Sequence, residues 1–241
     1  MTYDNIIFLD TETTGFDGSR DRIIELAFIV KTQGNYVEID DYIRLPEGSV
    51  IPEKIVELTG ITESLLEMNG IDEEIAARVL GFSMKSGKTL IVAHNAQFDL
   101  DFVRGMFARH SERHPELLEA LSRCDYLDTL TVFKDRKAGP HKLSDAIKAY
   151  YLEGKVYNTH RALDDCRALL AVFEEMLKKR DDLESYVNLF GYYSRFGIQG
   201  YRHEKVRYHV QDPRDYAATP EERLPEVIMR EGDSHDRKDL L

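Results

Sequence analysis

The chain has 241 residues, 42% of them hydrophobic, and a formal net charge of −12. That length and apolar content suit one large domain or a domain with an appendage, and exclude a chain disordered throughout. No run of about 18 apolar residues occurs, which excludes a hydrophobic membrane helix, and the acidity argues against tight nonspecific clamping of a nucleic-acid duplex.

In chain order, Asn5–Leu9 is an apolar, β-branched run and predicts a central strand ending at Asp10. Thr13-Thr14-Gly15 and Asp17-Gly18-Ser19 are turn chemistry. A second strand is expected from Ile23 to Val30. After Gly34-Asn35 a third is expected from Tyr36 to Leu45, antiparallel to the second. Pro52–Leu58 starts on proline and stops near Gly60, as a short helix does. Asp72–Phe82 has helical spacing of Ile75, Val79 and Phe82. Thr89–Ala93 is a short buried strand, and Ala96–Arg109 a helix with Leu100, Val103 and Phe107 on one face. A further short strand holds Tyr126 and Leu127, begun near Arg123, and helices follow at Lys142–Tyr151 and Ala162–Lys179. Three strands followed by helices alternating with strands imply an α/β domain with a mixed sheet, ending near Arg180.

Residues 181–241 form a C-terminal extension of different character. Tyr192, Tyr193, Arg195, Phe196, Tyr201, Arg202, Lys205, Arg207 and Tyr208 interleave aromatics with cations. Such a surface stacks bases and neutralises phosphates. It equally suits a β-hairpin packed on the domain, with Gly197 and Gly200 at its turn, and we favour packing. Association with a polymerase or with a second copy is the competing use. The charged stretch from Pro220 onward is expected to fray. Met1–Asn5 lacks the basic start and long apolar segment of a signal peptide. Cys124 and Cys166 have no CxxC partner, so a zinc cluster or disulfide framework is not expected; both point to the cytoplasm.

Asp10 and Glu12 are two residues apart at a strand end, so both carboxylates project from one face. Their repulsion is costly unless a cation sits between them, and hard oxygen ligands suit Mg²⁺ or Mn²⁺. A solvated strand end is the plainer alternative. Asp99 lies in the first turn of a helix, where the dipole alone favours an acid. Asp165 follows His160 by five residues at another helix start, with Asp164 beside it as the solvated alternative.

Each signal has a plain explanation; their joint order does not. Asp10-Thr11-Glu12-Thr13-Thr14-Gly15, then His94-Asn95-Ala96-Gln97-Phe98-Asp99, then His160-Arg161-Ala162-Leu163-Asp164-Asp165 resemble the three motifs of the DEDD exonuclease superfamily. The spacing of the third resembles the histidine branch, which includes the proofreading subunit of bacterial DNA polymerase III. Leu58-Thr59-Gly60-Ile61-Thr62 is similar to a further segment of that family, and the resemblance spans about residues 4 to 178.

The resemblance implies a ribonuclease-H-like fold, with a mixed five-stranded sheet flanked by helices. It implies 3′→5′ hydrolysis of single-stranded or frayed DNA to nucleoside 5′-monophosphates. RNA trimming is the alternative within the class, and a silent nucleic-acid-binding or polymerase-accessory module the alternative outside it. Carried over residue by residue, Asp10, Glu12, Asp99 and Asp165 hold two divalent cations, Mg²⁺ or Mn²⁺, and His160 is the general base. Thr13, Thr14, Gly15, Leu58, Ile61 and Asn95 are expected to contact the substrate, with core packing as the other reading of Leu58 and Ile61. His94 and His141 are expected to hydrogen-bond structurally, and Phe98 to pack in the core.

Overall fold

The computed structural model describes residues 2–85 and 87–212. Alternation of apolar residues builds the sheet. β1 (Asn5–Thr13) pairs antiparallel with β2 (Ile23–Thr32), which pairs antiparallel with β3 (Asn35–Tyr42). On its other side β1 pairs in parallel with β4 (Thr89–Ala93), and β4 in parallel with β5 (Asp125–Asp128), giving the order β3-β2-β1-β4-β5. This is the mixed five-stranded sheet of a ribonuclease-H-like fold. β1 runs on to Thr13 instead of stopping at Asp10, because β2 continues to pair with it. β3 ends at Tyr42, short of Leu45, where the chain leaves the ladder.

The two faces of the sheet are packed separately. Ile7 and Leu9 of β1, with Ile91 and Ala93 of β4, face α3 (Glu73–Met84), α4 (Ala96–Arg109) and α5 (Glu116–Arg123). Phe8, Leu90 and Val92 face the other way, against α6 (Thr129–Arg136), α7 (Leu143–Ala149) and α8 (Ala162–Lys179). Phe8 meets Phe173 of α8 edge to face at 5.3 Å. A smaller cluster of Ile24, Ile51, Ile61 and Leu66 seats α1 (Glu53–Thr59) and α2 (Glu63–Asn69).

Three helices, α2, α5 and α6, were not expected from the sequence. Each is short, and its start is set by a single residue: Thr62 accepts from the Leu65 amide, Pro115 precedes α5, and Asp128 accepts from the Leu130 and Thr131 amides. α3 turns the opposite way from its apolar spacing. Phe82 is 78% exposed and Ile75 47%, while Ala76, Ala77, Leu80, Gly81 and Met84 are buried. The small side is buried because α5 lies close: a Cβ on Gly81 would meet Leu117 Cδ2 at 2.3 Å. Close approach outweighs side-chain size here.

Beyond α8, a short 3₁₀ helix (Leu183–Tyr186) leads to β6 (Leu189–Tyr192), and β7 (Arg207–Val210) pairs with β6 in parallel. The expected hairpin is therefore corrected. Residues 193–206 make a crossover, and Gly197 and Gly200 bend within it at positive φ of 65° and 72°. Asn188 pins the unit to the domain: its amide donates to the Tyr126 carbonyl at 2.7 Å, and its side chain accepts from the Tyr126 amide at 2.9 Å. The expectation of fraying from Pro220 falls outside the described residues. Among the described residues no helix is long and apolar enough to cross a membrane. Both cysteines are free and buried.

Candidate functional site

β1 and β4 are paired only as far as Phe8 and Val92. Past that point β1 continues alone on this side, and the chain leaves β4 for α4. A crevice opens at the carboxyl ends of two parallel strands, the usual place for a site in such sheets. Asp10 and Glu12 alternate onto the face that α8 covers. Asp165, in the first turn of α8 and only 4% exposed, enters from that helix. Asp99 arrives from the opposite layer, in the first turn of α4. Thr11, on the other pleat face from Asp10, donates its hydroxyl to Asp99 Oδ1 at 2.8 Å and holds it at the strand.

Four carboxylates in one crevice repel. Burial and then the charges of Asp99, Asp165 and Glu12 drive the Asp10 carboxyl well above the usual range. Burial, with Asp165, Glu25 and Asp99 beside it, pushes Glu12 up to about 8. Asp99 is pushed up to about 7 by burial, against the lowering hydrogen bond from Thr11. Asp165 is raised to about 6, again by burial, with hydrogen bonds from Asn158 and the Thr159 amide opposing. A cluster that resists ionisation when bare calls for positive charge, and its donors are all hard oxygens, so the residues fit divalent cations. Glu12, His160 and Asp165 each offer a ligand atom, and these lie within 4.8 Å of one another.

His160 is exposed and has φ of +56°, uncommon for a residue with a side chain. Asn95, at the N-terminus of α4, has φ of +77°. Both stand immediately before the helices that carry Asp165 and Asp99, and both are held there by neighbours. The Asn95 and Ala96 amides donate to Asp128 Oδ1 at 2.9 and 3.2 Å. On the other side, Arg161 donates Nε and Nη2 to Glu25 Oε1 at 3.0 and 2.9 Å, and Nη2 also to the Tyr42 hydroxyl. The Ala162 amide donates to Glu25 Oε2 at 3.2 Å. No α8 side chain caps its start, so Glu25 of β2 takes that place. The Thr159 amide donates to Asp165 Oδ1 at 3.1 Å, whereas Asp164 turns outward to Arg167 at 3.3 Å.

Glu25, Arg161, Thr11 and Asp128 were not singled out in the sequence. Glu25 left a signal: it is a lone charge within the apolar run Ile23-Ile24-Glu25-Leu26-Ala27, and it is fully buried. Burial of an acid demands a partner, which here is Arg161.

The expected substrate contacts divide. Asn95 is exposed at the crevice. Leu58 is 50% exposed, but Ile61 is 1% exposed and packs with Ile24, Ile51 and Leu66, so it presents no surface to a ligand. Thr13 donates to the Gly15 carbonyl at 2.7 Å and Thr14 accepts from the Arg22 amide at 3.0 Å, so both serve the loop itself. Gly15 is required by Asp21, whose carboxylate would lie 2.3 Å from an added Cβ. His94 bridges Thr129 at 3.0 Å and the His141 carbonyl at 2.9 Å, and His141 meets the Lys137 carbonyl at 2.7 Å. Phe98 packs against the core.

The sequence profile of the Exonuclease family matches residues 7–173, which contain every residue of the crevice, and the chain belongs to that family. It resembles the DEDD exonucleases, among them the exonuclease of bacterial DNA polymerase III. Over 178 residues it is 37% identical to the PolC-type DNA polymerase III of Thermotoga maritima, covering 72% of this chain and 12% of that one. Over 179 residues it is 30% identical to the PolC-type polymerase of Clostridium perfringens, covering 73% of this chain and 11% of that one. The chain thus spans about an eighth or less of the length of these relatives. E. coli exonuclease I, solved with a dT13 oligonucleotide, superimposes with a TM-score of 0.62 at 21% identity, over 74% of this chain and 42% of that one. Its zinc-bound form in complex with single-stranded DNA gives a TM-score of 0.65. At that identity the likeness shows the shared fold.

Proposed function

We propose that the chain removes nucleoside 5′-monophosphates from the 3′ end of single-stranded or frayed DNA. Asp10, Glu12, Asp99 and Asp165 would hold two divalent cations, Mg²⁺ or Mn²⁺, and His160 acts as general base. The observation that carries this reading is the convergence of four carboxylates from β1, α4 and α8 on one crevice, with His160 beside Glu12 and Asp165. Bound cations neutralise the carboxylates and stabilise negative charge developing on the phosphoryl and leaving oxygens. His160 accepts a proton from the attacking water as its oxygen bonds to phosphorus. The bond from phosphorus to the 3′-oxygen breaks, and that oxygen takes a proton from solvent. Arg161 and Glu25 keep His160 and Asp165 in register, and Asp128 does the same for the turn before Asp99. The relatives named above are DNA polymerases, which supports DNA as substrate and a polymerase as the working context, whether this chain acts within one or beside it. Residues 1–180 form the exonuclease domain in this reading, and 181–241 its extension.

A 5′-labelled single-stranded oligonucleotide, incubated with Mg²⁺ and with chelator, tests the proposal. A ladder shortening from the 3′ end, abolished by chelator and slower on RNA, is expected. Internal cuts in a circular single strand, or full activity after chelation, would sink it.

A further inference from the structure

The crossover of the C-terminal extension is laid beside the N-terminus of α4, and two cavities open along it. One, of about 470 Å³, lies between the crossover and α6, with Lys134, Tyr193 and Phe196 in its wall. The other, of about 710 Å³, lies between the crossover and the turn after β1, with Phe16 and Arg104 in its wall. Asn95, Gln97 and Gln199 line both, so they form one trough that meets at Asn95, four residues before Asp99.

Lys134 is the telling residue. It is 7% exposed, yet among the described residues its ammonium has no carboxylate at ion-pair distance. It sits 4.3 Å over the ring of Tyr193. A buried cation facing a cavity, with no carboxylate in direct contact, is costly and favours an anion there. The two acids whose charges act on Lys134 are engaged elsewhere: Asp128 by the amides of Asn95, Ala96, Leu130 and Thr131, and Asp135 by the Gln211 side-chain amide at 2.7 Å. Nearby, Phe196 is 61% exposed with the Arg195 guanidinium 5.4 Å from its ring, and Phe16, at the far end of the trough, is 86% exposed. Aromatic faces beside cations are what unpaired bases and their phosphates bind. The acids in the second cavity are occupied: Asp101 accepts from the Tyr201 amide and Gln97, and Asp17 from Ser19 and Arg20.

We propose that this trough holds the single strand on the 5′ side of the scissile nucleotide, with a phosphate at Lys134 and a base stacked on Phe196. The extension is thereby a wall of the substrate path. The proposal rests on the exonuclease reading above, and the two are separable by experiment. Hydrolysis of an oligothymidylate and of the p-nitrophenyl ester of thymidine 5′-monophosphate, which has no upstream strand, is compared in the full chain. Phe196→Ala alters an exposed ring and does not threaten folding; Lys134→Met removes the charge at similar volume. Each is expected to raise KM for the oligonucleotide by roughly 5-fold or more relative to KM for the ester, the scale of one lost stack. Lys134→Met is also expected to reduce the slope of log affinity against log salt by about one, as for one lost phosphate contact. Wild-type chain inactive on both substrates would remove the exonuclease reading itself. Wild type active on both, with Phe196→Ala unchanged in its oligonucleotide-to-ester KM ratio, would overturn the trough alone.

Discussion

Asp10 stands where three acids surround it, so its behaviour is governed by what neutralises them. The folded-state pKa values of Asp10, Glu12, Asp99 and Asp165 all lie above the roughly 4 of an unfolded chain. Without metal, the folded protein therefore binds protons that the unfolded chain releases. Stability from this source is fully present below about pH 4 and is lost as pH rises through about 8, where Glu12 ionises last among those with a value. The melting temperature in chelator should fall between pH 5 and 8, and Mg²⁺ should raise it more at pH 8 than at pH 5. Asp10→Asn should abolish nuclease activity while raising the metal-free melting temperature at pH 8. A pH-independent melting curve, or activity near wild type, would contradict the assignment. His160→Ala separates proton transfer from metal binding. It should keep oligonucleotide affinity and lose about 10²–10⁴-fold in turnover, the usual contribution of a positioned base. Full recovery at saturating Mg²⁺ would instead make His160 an aid to metal binding.

At the scale of elements, the site depends on how α8 is moored to the sheet. Glu25 of β2 sits directly across the ladder from Glu12, so an unpaired charge there would add to the repulsion in the crevice. Arg161 prevents that and simultaneously fixes the residue after His160. Arg161→Ala leaves a fully buried carboxylate without its partner and should cost about 2 kcal/mol in urea unfolding, below the full cost of breaking a buried pair because the Arg161 side chain is half exposed. Turnover should fall with it. Arg161→Ala combined with Glu25→Leu should regain stability without regaining turnover; recovery of both would mean that the pair serves folding only.

For the whole molecule, Asn188 is one of several polar anchors of the extension on the domain, beside Tyr201 on Asp101, Lys205 on the Arg123 and Cys124 carbonyls, and Gln211 on Thr131 and Asp135. Asn188 has φ of +56°, and three of its hydrogen bonds, to Tyr126 twice and to Asp125, join β6 to β5. Asn188→Ala loses the αL preference and leaves the Tyr126 amide unpaired, and should cost about 2 kcal/mol. Hydrogen exchange is expected to quicken first in residues 189–210 while the five-stranded sheet keeps its protection. Uniform loss across the sheet would show that extension and domain unfold as one unit.

Local patterning makes the strands of the main sheet, the long helices α4 and α8, and the order of the three motifs legible in the sequence, since strand alternation and motif spacing are properties of neighbouring residues. The short helices α2, α5 and α6 were hidden because each depends on one residue at its start. The buried side of α3 was hidden because Gly81 and two alanines admit α5, a fact of close approach that hydrophobicity does not express. The parallel pairing of β6 and β7 was hidden because Gly197 and Gly200 mark bends without saying which way the chain returns. Tertiary structure alone decided that Glu25 reaches Arg161 from 136 residues away, and that Lys134 faces the crossover of the extension. A buried charge is intelligible only once its partner, or the want of one, is in view.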